Sequence, residues 1–301
     1  MKMKYIIIGD IHGRTNWKEL VSGMNKDTTV IFVGDYTDPY GYEEKISYDD
    51  MLNNLNDILN FKDKWKDNVI LLFGNHDAQY IGLGGETNRY DFRHSREIMH
   101  TFQDDIDLFS GVVYQIGEKY LISHAGVSKK WYKRAFKKEF SGTLSDLCSE
   151  INELWDKDKL KFSFGFGADY GDYYGSSSTH GPLWIRETAL WENNIFGFES
   201  DKIQVVGHTR MVECFGNKDD NGKISILSTD FWEYTGDTET CPYILSKDNK
   251  HTCGLVINDF KLKPNIIMVD CLSDYTSCLK IDGDTLEWKI ADRDKKVKNN
   301  I

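Results

Sequence analysis

Lys4-Tyr5-Ile6-Ile7-Ile8-Gly9-Asp10-Ile11-His12-Gly13 is an apolar run that stops at glycine and then offers a carboxylate and an imidazole two residues apart. A short unbroken run of isoleucines reads as a strand buried on both faces. The construction recurs four times. Val30-Ile31-Phe32-Val33 runs into Gly34-Asp35, and Val69-Ile70-Leu71-Leu72-Phe73 into Gly74-Asn75-His76-Asp77. Tyr120-Leu121-Ile122 leads to Ser123-His124-Ala125-Gly126, and Ile203-Gln204-Val205-Val206 to Gly207-His208. Buried strands that end on glycine and present Asp, His and Asn at one edge describe an active site, because ligands of such sheets gather at the carboxyl ends of the strands.

Outward from these runs, the first third alternates strand and helix. A helix-like stretch near 15–25 and a longer one at 48–63, with Met51, Leu52, Leu55, Ile58 and Leu59 on one face, separate strands 4–8, 29–33 and 69–73. Such units favour right-handed crossovers and parallel pairing, so the fold class is α/β. Residues 80–110 read as polar and helical, and 112–116 and 120–123 as two short strands around Gly117. Segment 129–200 reads as an inserted cap: a basic helix, an acidic helix near 144–158, and an aromatic, glycine-rich loop at 162–175. From 203 onward the chain is strand-rich, with turn signals at Asn221-Gly222 and Asp282-Gly283, and 292–301 is a charged tail. The expected organisation is one catalytic domain over 1–291 carrying the cap.

The 301 residues suffice for a sizeable core. A net charge of -11 argues against a general nucleic-acid coat and leaves only a local basic patch at 129–138 for such a partner. No apolar stretch approaches the roughly 20 residues of a membrane span. Met1-Lys2-Met3-Lys4 passes straight into the first strand without a secretory signal. The expectation is a cytoplasmic protein without membrane association. Its six cysteines lack a CxxC pair and are expected as reduced thiols.

Asp10 and His12, on a turn after a strand, can point at one ion, and Asp35 has two oxygens with which to bridge two ions. Asn75 supplies an amide oxygen, and His124 and His208 supply imidazole nitrogens. A mixed N/O set without thiolate suits Mn, Fe, Zn, Co or Ni. Two cations about 3.5–4 Å apart can share a hydroxide and clamp the oxygens of an in-line phosphoryl displacement. His76, next to Asn75, would face away from the ions as an acid for the leaving alkoxide. Such a histidine needs a partner to fix its tautomer, and Asp38 is the candidate.

The set Gly-Asp-x-His-Gly, Gly-Asp-x-x-Asp, Gly-Asn-His-Asp, Ser-His-Ala-Gly and Gly-His-Thr, in this order over 9–209, resembles the calcineurin-like metallophosphoesterase superfamily. Within it the chain is most similar to the branch of protein serine/threonine phosphatases, small phage and bacterial protein phosphatases and symmetrical diadenosine tetraphosphatases. Ile266-Ile267-Met268-Val269-Asp270 and Ser277-Cys278-Leu279-Lys280-Ile281 resemble that branch's closing strands. The resemblance implies a four-layer α-β-β-α sandwich of two mixed sheets and a two-metal site. Asp10, His12 and Asp35 would hold one ion, Asp35, Asn75, His124 and His208 the other, and His76 with Asp38 would be the acid pair. Arg210 follows Gly-His-Thr where many phosphodiesterase members carry a second histidine, which favours the phosphatase branch.

The chain departs from that branch twice. Asp38-Pro39-Tyr40 stands where its protein phosphatases carry Asp-Arg-Gly, and Ala78-Gln79-Tyr80 where they place a further arginine. Both arginines grip phosphate by paired N–H bonds. Arg186 is the replacement weighed against a surface ion pair with Glu187 or Glu192, and Arg210 and Arg14 are weaker substitutes. The lysines of 129–138 read as a solvated helix face. Tyr36, Tyr40, Tyr42 and the tyrosines of 170–174 could stack on a base or phosphoaryl group but are expected to fold back onto the core.

The expected activity is hydrolysis of a phosphomonoester on a small molecule, nucleotide or phosphoprotein, with two divalent ions, manganese first. The alternatives are a nucleotidyl pyrophosphatase or phosphodiesterase of the diadenosine tetraphosphatase type and, from another class, a metal-binding interaction module without turnover.

Overall fold

The computed structural model describes residues 3–40, 45–84, 89–197, 200–209, 266–270, 275–283 and 285–292, together with the strand segments 214–218, 224–228, 245–246 and 253–256. The first half runs β1 (Lys4–Ile8), α1 (Trp17–Leu20), β2 (Thr28–Phe32), α2 (Tyr48–Trp65), β3 (Val69–Leu71), α3 (Asn75–Ala78), α4 (Ser95–Asp104), β4 (Val113–Ile116) and β5 (Tyr120–Ser123). Helices α5 (Lys129–Phe136), α6 (Leu144–Lys157), α7 (Phe164–Gly167) and α8 (Glu187–Asn193) follow. Then come β6 (Ile203–Val206), β7 (Cys214–Lys218), β8 (Ile224–Ser228), β9 (Leu245–Ser246), β10 (Cys253–Val256), β11 (Ile266–Met268), β12 (Tyr275–Asp282) and β13 (Thr285–Asp292).

Two mixed sheets result. The first has the order β3-β2-β1-β12-β13-β10-β9, with β1, β2 and β3 parallel, and the second β11-β6-β5-β4, with β11, β6 and β5 parallel. Strand alternation builds the layers. Ile7, Ile31 and Ile70 of the first sheet meet Ile122, Val205 and Ile267 of the second in a core between the sheets. The intervening Ile6, Ile8, Val30, Phe32 and Leu71 face outward, where Met51, Leu55, Ile58 and Leu59 of α2 cover them. Burying each such side chain is worth about 1.5–3 kcal/mol. On the opposite outer face, Ala189 and Leu190 of α8 cover Val206 and Met268. The stack is helix, sheet, sheet, helix.

Local chemistry explains the helix boundaries. Ser47 Oγ accepts from Asp50 N at 3.1 Å while the Asp50 carboxylate accepts from Ser47 N, a capping box that starts α2. The helix expected near 15–25 is a single turn. Beyond it Asn25 Oδ1 accepts from Asp27 N and Thr28 Oγ1, bending the chain into β2. Between 80 and 110 the only α-helix among the described residues, beyond short turns, is α4. The turn expected at Asp282-Gly283 joins β12 to β13, and Asn221-Gly222 and 293–301 lie outside the described residues.

Segment 129–200 shares the main core. Trp131, Tyr132, Leu147, Ile151 and Trp155 cluster with Val113 and Phe73, and the Phe73 and Trp155 ring centres are 5.6 Å apart. Lys133 of α5 pairs with Glu139 at 2.5 Å, and Lys138, just past the end of α5, with Glu150 at 2.6 Å, so part of the basic patch at 129–138 is internally neutralised. Cys148 and Cys278 are buried and not disulfide-bonded. No helix among the described residues is long and apolar enough to cross a membrane.

Candidate metal centre

Because β1, β2 and β3 run parallel, as do β5, β6 and β11, their carboxyl ends gather the polar residues at one edge. β1 leads to Asp10 and His12, β2 to Asp35 and Asp38, β3 to Asn75 and His76, β5 to His124, β6 to His208, and β11 to Asp270; all are buried. His12, Asp35, Asp38 and His208 have φ of 45°, 54°, 56° and 64°. Non-glycine residues seldom occupy this left-handed region, which costs of order 1–3 kcal/mol each and clusters at functional sites. Two glycines make room for carboxylates: a Cβ at Gly207 would lie 2.2 Å from Asp10 Oδ1, and one at Gly74 2.1 Å from Asp35 Oδ1. The Asp77 carboxylate accepts from the backbone N–H of Asp35 at 2.6 Å, Tyr36 at 2.8 Å and Gly74 at 2.9 Å, lacing the second and third strand ends together.

Three histidines have their tautomers set by carbonyl oxygens, which only accept. His12 Nδ1 donates to Thr37 O at 2.8 Å, His124 Nδ1 to Val33 O at 3.2 Å, and His208 Nε2 to Trp184 O at 3.1 Å. Each second nitrogen is therefore a lone pair turned inward. His124 Nε2 lies 2.8 Å from Asn75 Oδ1 and 3.2 Å from His208 Nδ1, which is itself 3.0 Å from Asn75 Oδ1. Asp35 serves both sides: Oδ1 is 3.5 Å from His124 Nε2, and Oδ2 is 3.5 Å from His12 Nε2. His12 Nε2 is also 3.9 Å from Asp10 Oδ2.

Electrostatics give the same answer. Burial, then the charges of Asp270 and Asp35, push the Asp10 carboxyl well above its ordinary range. Burial and Asp77 do the same to Asp35. Burial pushes His12 and His208 well below the usual imidazole range and His124 down to about 3, so these rings are neutral. Acceptors converging on acceptors, with carboxylates short of positive charge, are a donor set that divalent cations fit. Among the described residues, Asp10, Asp35 and His124 offer ligand atoms that all lie within 4.8 Å of one another.

Beside this cluster His76 Nδ1 lies 2.8 Å from Asp38 Oδ2. Asp38 also accepts from the Tyr80 hydroxyl at 2.6 Å and from the Gln79 amide. Burial raises Asp38 to about 8, tempered by the Tyr80 bond and the Arg89 charge. Arg89 Nη2 donates to His76 Nε2 at 2.9 Å and lies 3.4 Å from His12 Nε2, while Nη1 donates to Asp38 O at 2.6 Å. Its guanidinium stands 3.6 Å from the Tyr40 ring centre. With Nε2 occupied by an N–H, His76 carries its proton on Nδ1 and donates it to Asp38.

Arg186 Nη1 donates to His208 O at 2.8 Å and Nε to Tyr174 O at 3.0 Å, which brings it against a candidate ligand. Arg14 is buried and donates to Asp10 O at 2.7 Å and Ile11 O at 3.1 Å, bracing the first loop. Arg210 and Tyr42 lie outside the described residues. The tyrosine expectation needs correction. Tyr36 is buried, but Tyr170, Tyr173 and Tyr174 are 109%, 80% and 79% exposed, on a loop where Asp172 accepts from the backbone of Tyr174 and Ser177. His180 is buried and bonded to Asp172 at 2.8 Å.

Sequence reasoning missed Arg89, Asp270 and the lacing role of Asp77. Asp270 had a readable signal, since Ile266-Ile267-Met268-Val269 is another apolar run ending on an acid. Arg89 had none, because it arrives from a loop outside every strand end.

A calcineurin-like phosphoesterase profile matches residues 3–212, more than half of the chain. Among solved structures, a metallophosphoesterase from Sphaerobacter thermophilus is similar over 96% of this chain and 88% of its own, at 12% identity and a TM-score of 0.44. A protein serine/threonine phosphatase from Saccharomyces cerevisiae, with similarity to human phosphatase PP5, is similar over 42% of this chain, at 20% identity and a TM-score of 0.32. That match spans 39% of the phosphatase's own length. The profile runs from β1 through Gly207-His208, so the chain belongs to the calcineurin-like phosphoesterases, hydrolases acting on phosphate esters.

Proposed function

We propose that the protein is a phosphomonoesterase of the phosphatase branch of its family, dependent on two divalent cations. The observation that carries this reading is the convergence of three neutral imidazole lone pairs with the oxygens of Asp10, Asp35 and Asn75. Asp10, His12 and Asp35 would hold one ion and Asp35, Asn75, His124 and His208 the other, with Asp35 shared. Ions bound there, manganese first among those the donor set suits, supply Lewis acidity toward phosphate oxygens and acidify water.

The chain's own residues do the rest. Arg89 and Arg186 stand at the cluster and supply the grip that the two missing motif arginines would have given. An arriving phosphate is a stronger acceptor for the Arg89 guanidinium than His76 Nε2. Burial first and the Arg89 charge second hold the His76 ring neutral. When Arg89 turns to the phosphate it gives up its bond to Nε2, and the second of these restraints is eased. His76 can then hold a proton on Nε2 and pass it to the leaving alkoxide, while Asp38 stabilises the imidazolium through Nδ1–H.

The test compares initial rates on p-nitrophenyl phosphate and bis-p-nitrophenyl phosphate in Mn²⁺ with a chelated control. Release from the monoester, abolished by chelation and by Asp35→Asn, is the expected result. A faster diester rate would move the assignment to a phosphodiesterase or nucleotidyl pyrophosphatase. Tight metal binding without release from either ester would favour the interaction module.

A further inference from the structure

We propose that loop 169–177 is an aromatic rim of the active site that takes the planar base of a nucleoside monophosphate; this rests on the phosphomonoesterase reading above. The loop is fastened from within. Asp172 Oδ1 accepts from Tyr174 N at 3.1 Å, Gly175 N at 3.0 Å, Ser176 N at 3.1 Å and Ser176 Oγ at 3.1 Å. Its Oδ2 accepts from Ser177 N and His180 Nε2, both at 2.8 Å, and His180 is fully buried. A carboxylate with six donors fixes the backbone around it.

Tyr174, whose N–H is one of those donors, and its loop neighbours Tyr170 and Tyr173 are left in water by the fold. Rings held on a rigid loop give up little conformational freedom when something stacks on them. The rim is also joined to the chemistry. Tyr174 O accepts from Arg186 Nε, and the same guanidinium donates to His208 O, so a single side chain separates the rim from a candidate metal ligand. Arg186 N donates to Gly175 O at 3.1 Å, a second tie. Across the cluster, Tyr40 lies against Arg89. A phosphate gripped by the two arginines would thus lie one side chain away from the loop that carries the three exposed rings.

The size of the patch selects the class of ligand. Three rings within five residues can hold a base, since nucleobases stack on aromatic side chains whatever their edge pattern. A protein partner would need a footprint of about 800 Å², and one loop does not supply it.

Adenosine 5′-monophosphate and ribose 5-phosphate share the same leaving alkoxide, so their ratio of kcat/KM reads the base alone. The Mn²⁺-loaded chain is expected to prefer the nucleotide by about tenfold or more. Combining Tyr170→Ser, Tyr173→Ser and Tyr174→Ser should lower kcat/KM for the nucleotide far more than for ribose 5-phosphate. Equal rates on the two esters, equal losses in the variant, or a phosphotyrosine peptide outrunning the nucleotide would overturn the proposal. If neither ester turns over, the phosphomonoesterase reading falls by itself. Equilibrium dialysis of adenosine 5′-monophosphate then judges the rim: binding that the triple variant loses supports it, and no binding sinks it.

Discussion

Replacing Gly74 by alanine tests whether close backbone approach holds the Asp35 carboxylate in place. Gly74 sits at φ -96° and ψ 177°, which alanine adopts freely, so the substitution changes only the contact. The new Cβ would lie 2.1 Å from Asp35 Oδ1 and 2.4 Å from Asp35 N, where ordinary contact begins at 3.4 Å. The carboxylate has to retreat by more than about 1 Å. Carboxylate–metal bonds are only about 2.0–2.2 Å long, so that retreat removes a ligand both ions would share. It also strains the 2.9 Å bond from His76 N to Asp35 Oδ1. Misplacing even outer partners of a metal typically costs 10–100-fold in affinity, so the expected loss is about 100-fold, roughly 3 kcal/mol.

Competition with a fluorescent chelator reads that affinity, and urea unfolding of the metal-free protein reads the overpacking, expected at about 1–3 kcal/mol. Gly82→Ala is the control, since a Cβ at Gly82 meets nothing within 4 Å while its φ of 125° strains alanine. It should lose stability without losing metal. If Gly74→Ala binds metal within about threefold of the parent, under 1 kcal/mol, the glycine is not there for the carboxylate and the geometric argument fails.

The pH dependence of the metal-free protein follows from opposing shifts. Asp10, Asp35 and Asp38 titrate above their ordinary range when folded, so the folded chain holds more protons than the unfolded one and stability falls as pH rises. The lowered histidines act oppositely but fall silent above their ordinary value of 6.5. Between pH 6.5 and about 8 the melting temperature should therefore drop, and Mn²⁺ should suppress most of that drop; a flat metal-free profile refutes this. Arg89→Ala should lower kcat/KM on p-nitrophenyl phosphate by about 10–100-fold, the worth of a hydrogen bond to a charged group, and a loss under twofold would remove it from the phosphate grip. Asp270→Asn keeps the shape but deletes a buried charge that bears on Asp10, so Mn²⁺ affinity should fall by about 10–100-fold; unchanged affinity in the chelator assay would make it a packing residue.

What the sequence disclosed and what it withheld divide along the range of the forces involved. The strand ends were legible because a buried strand must be apolar and a ligand must follow where it stops, both local requirements. Gly9-Asp10 and Gly207-His208 announce themselves within a few residues. Asp38 beside His76 was legible only as a short step from Asp35, and the partners that hold it, Tyr80 and Gln79, were not. Arg89 shows why. It reaches Asp38 O and His76 Nε2 across the fold. Near it Asp91 N donates to Tyr80 OH at 2.9 Å while that hydroxyl donates to Asp38, contacts spanning half a hundred residues. No periodicity encodes such a path. The tyrosine loop failed for another reason: its composition is the same whether the rings fold inward or stand in water. The deciding residue is Asp172, followed by Tyr173-Tyr174-Gly175-Ser176-Ser177, a short acid ahead of small polar residues with free N–H groups. The local turn chemistry was therefore present to be read. It fixes the backbone first, and the rings have to go where that backbone leaves them.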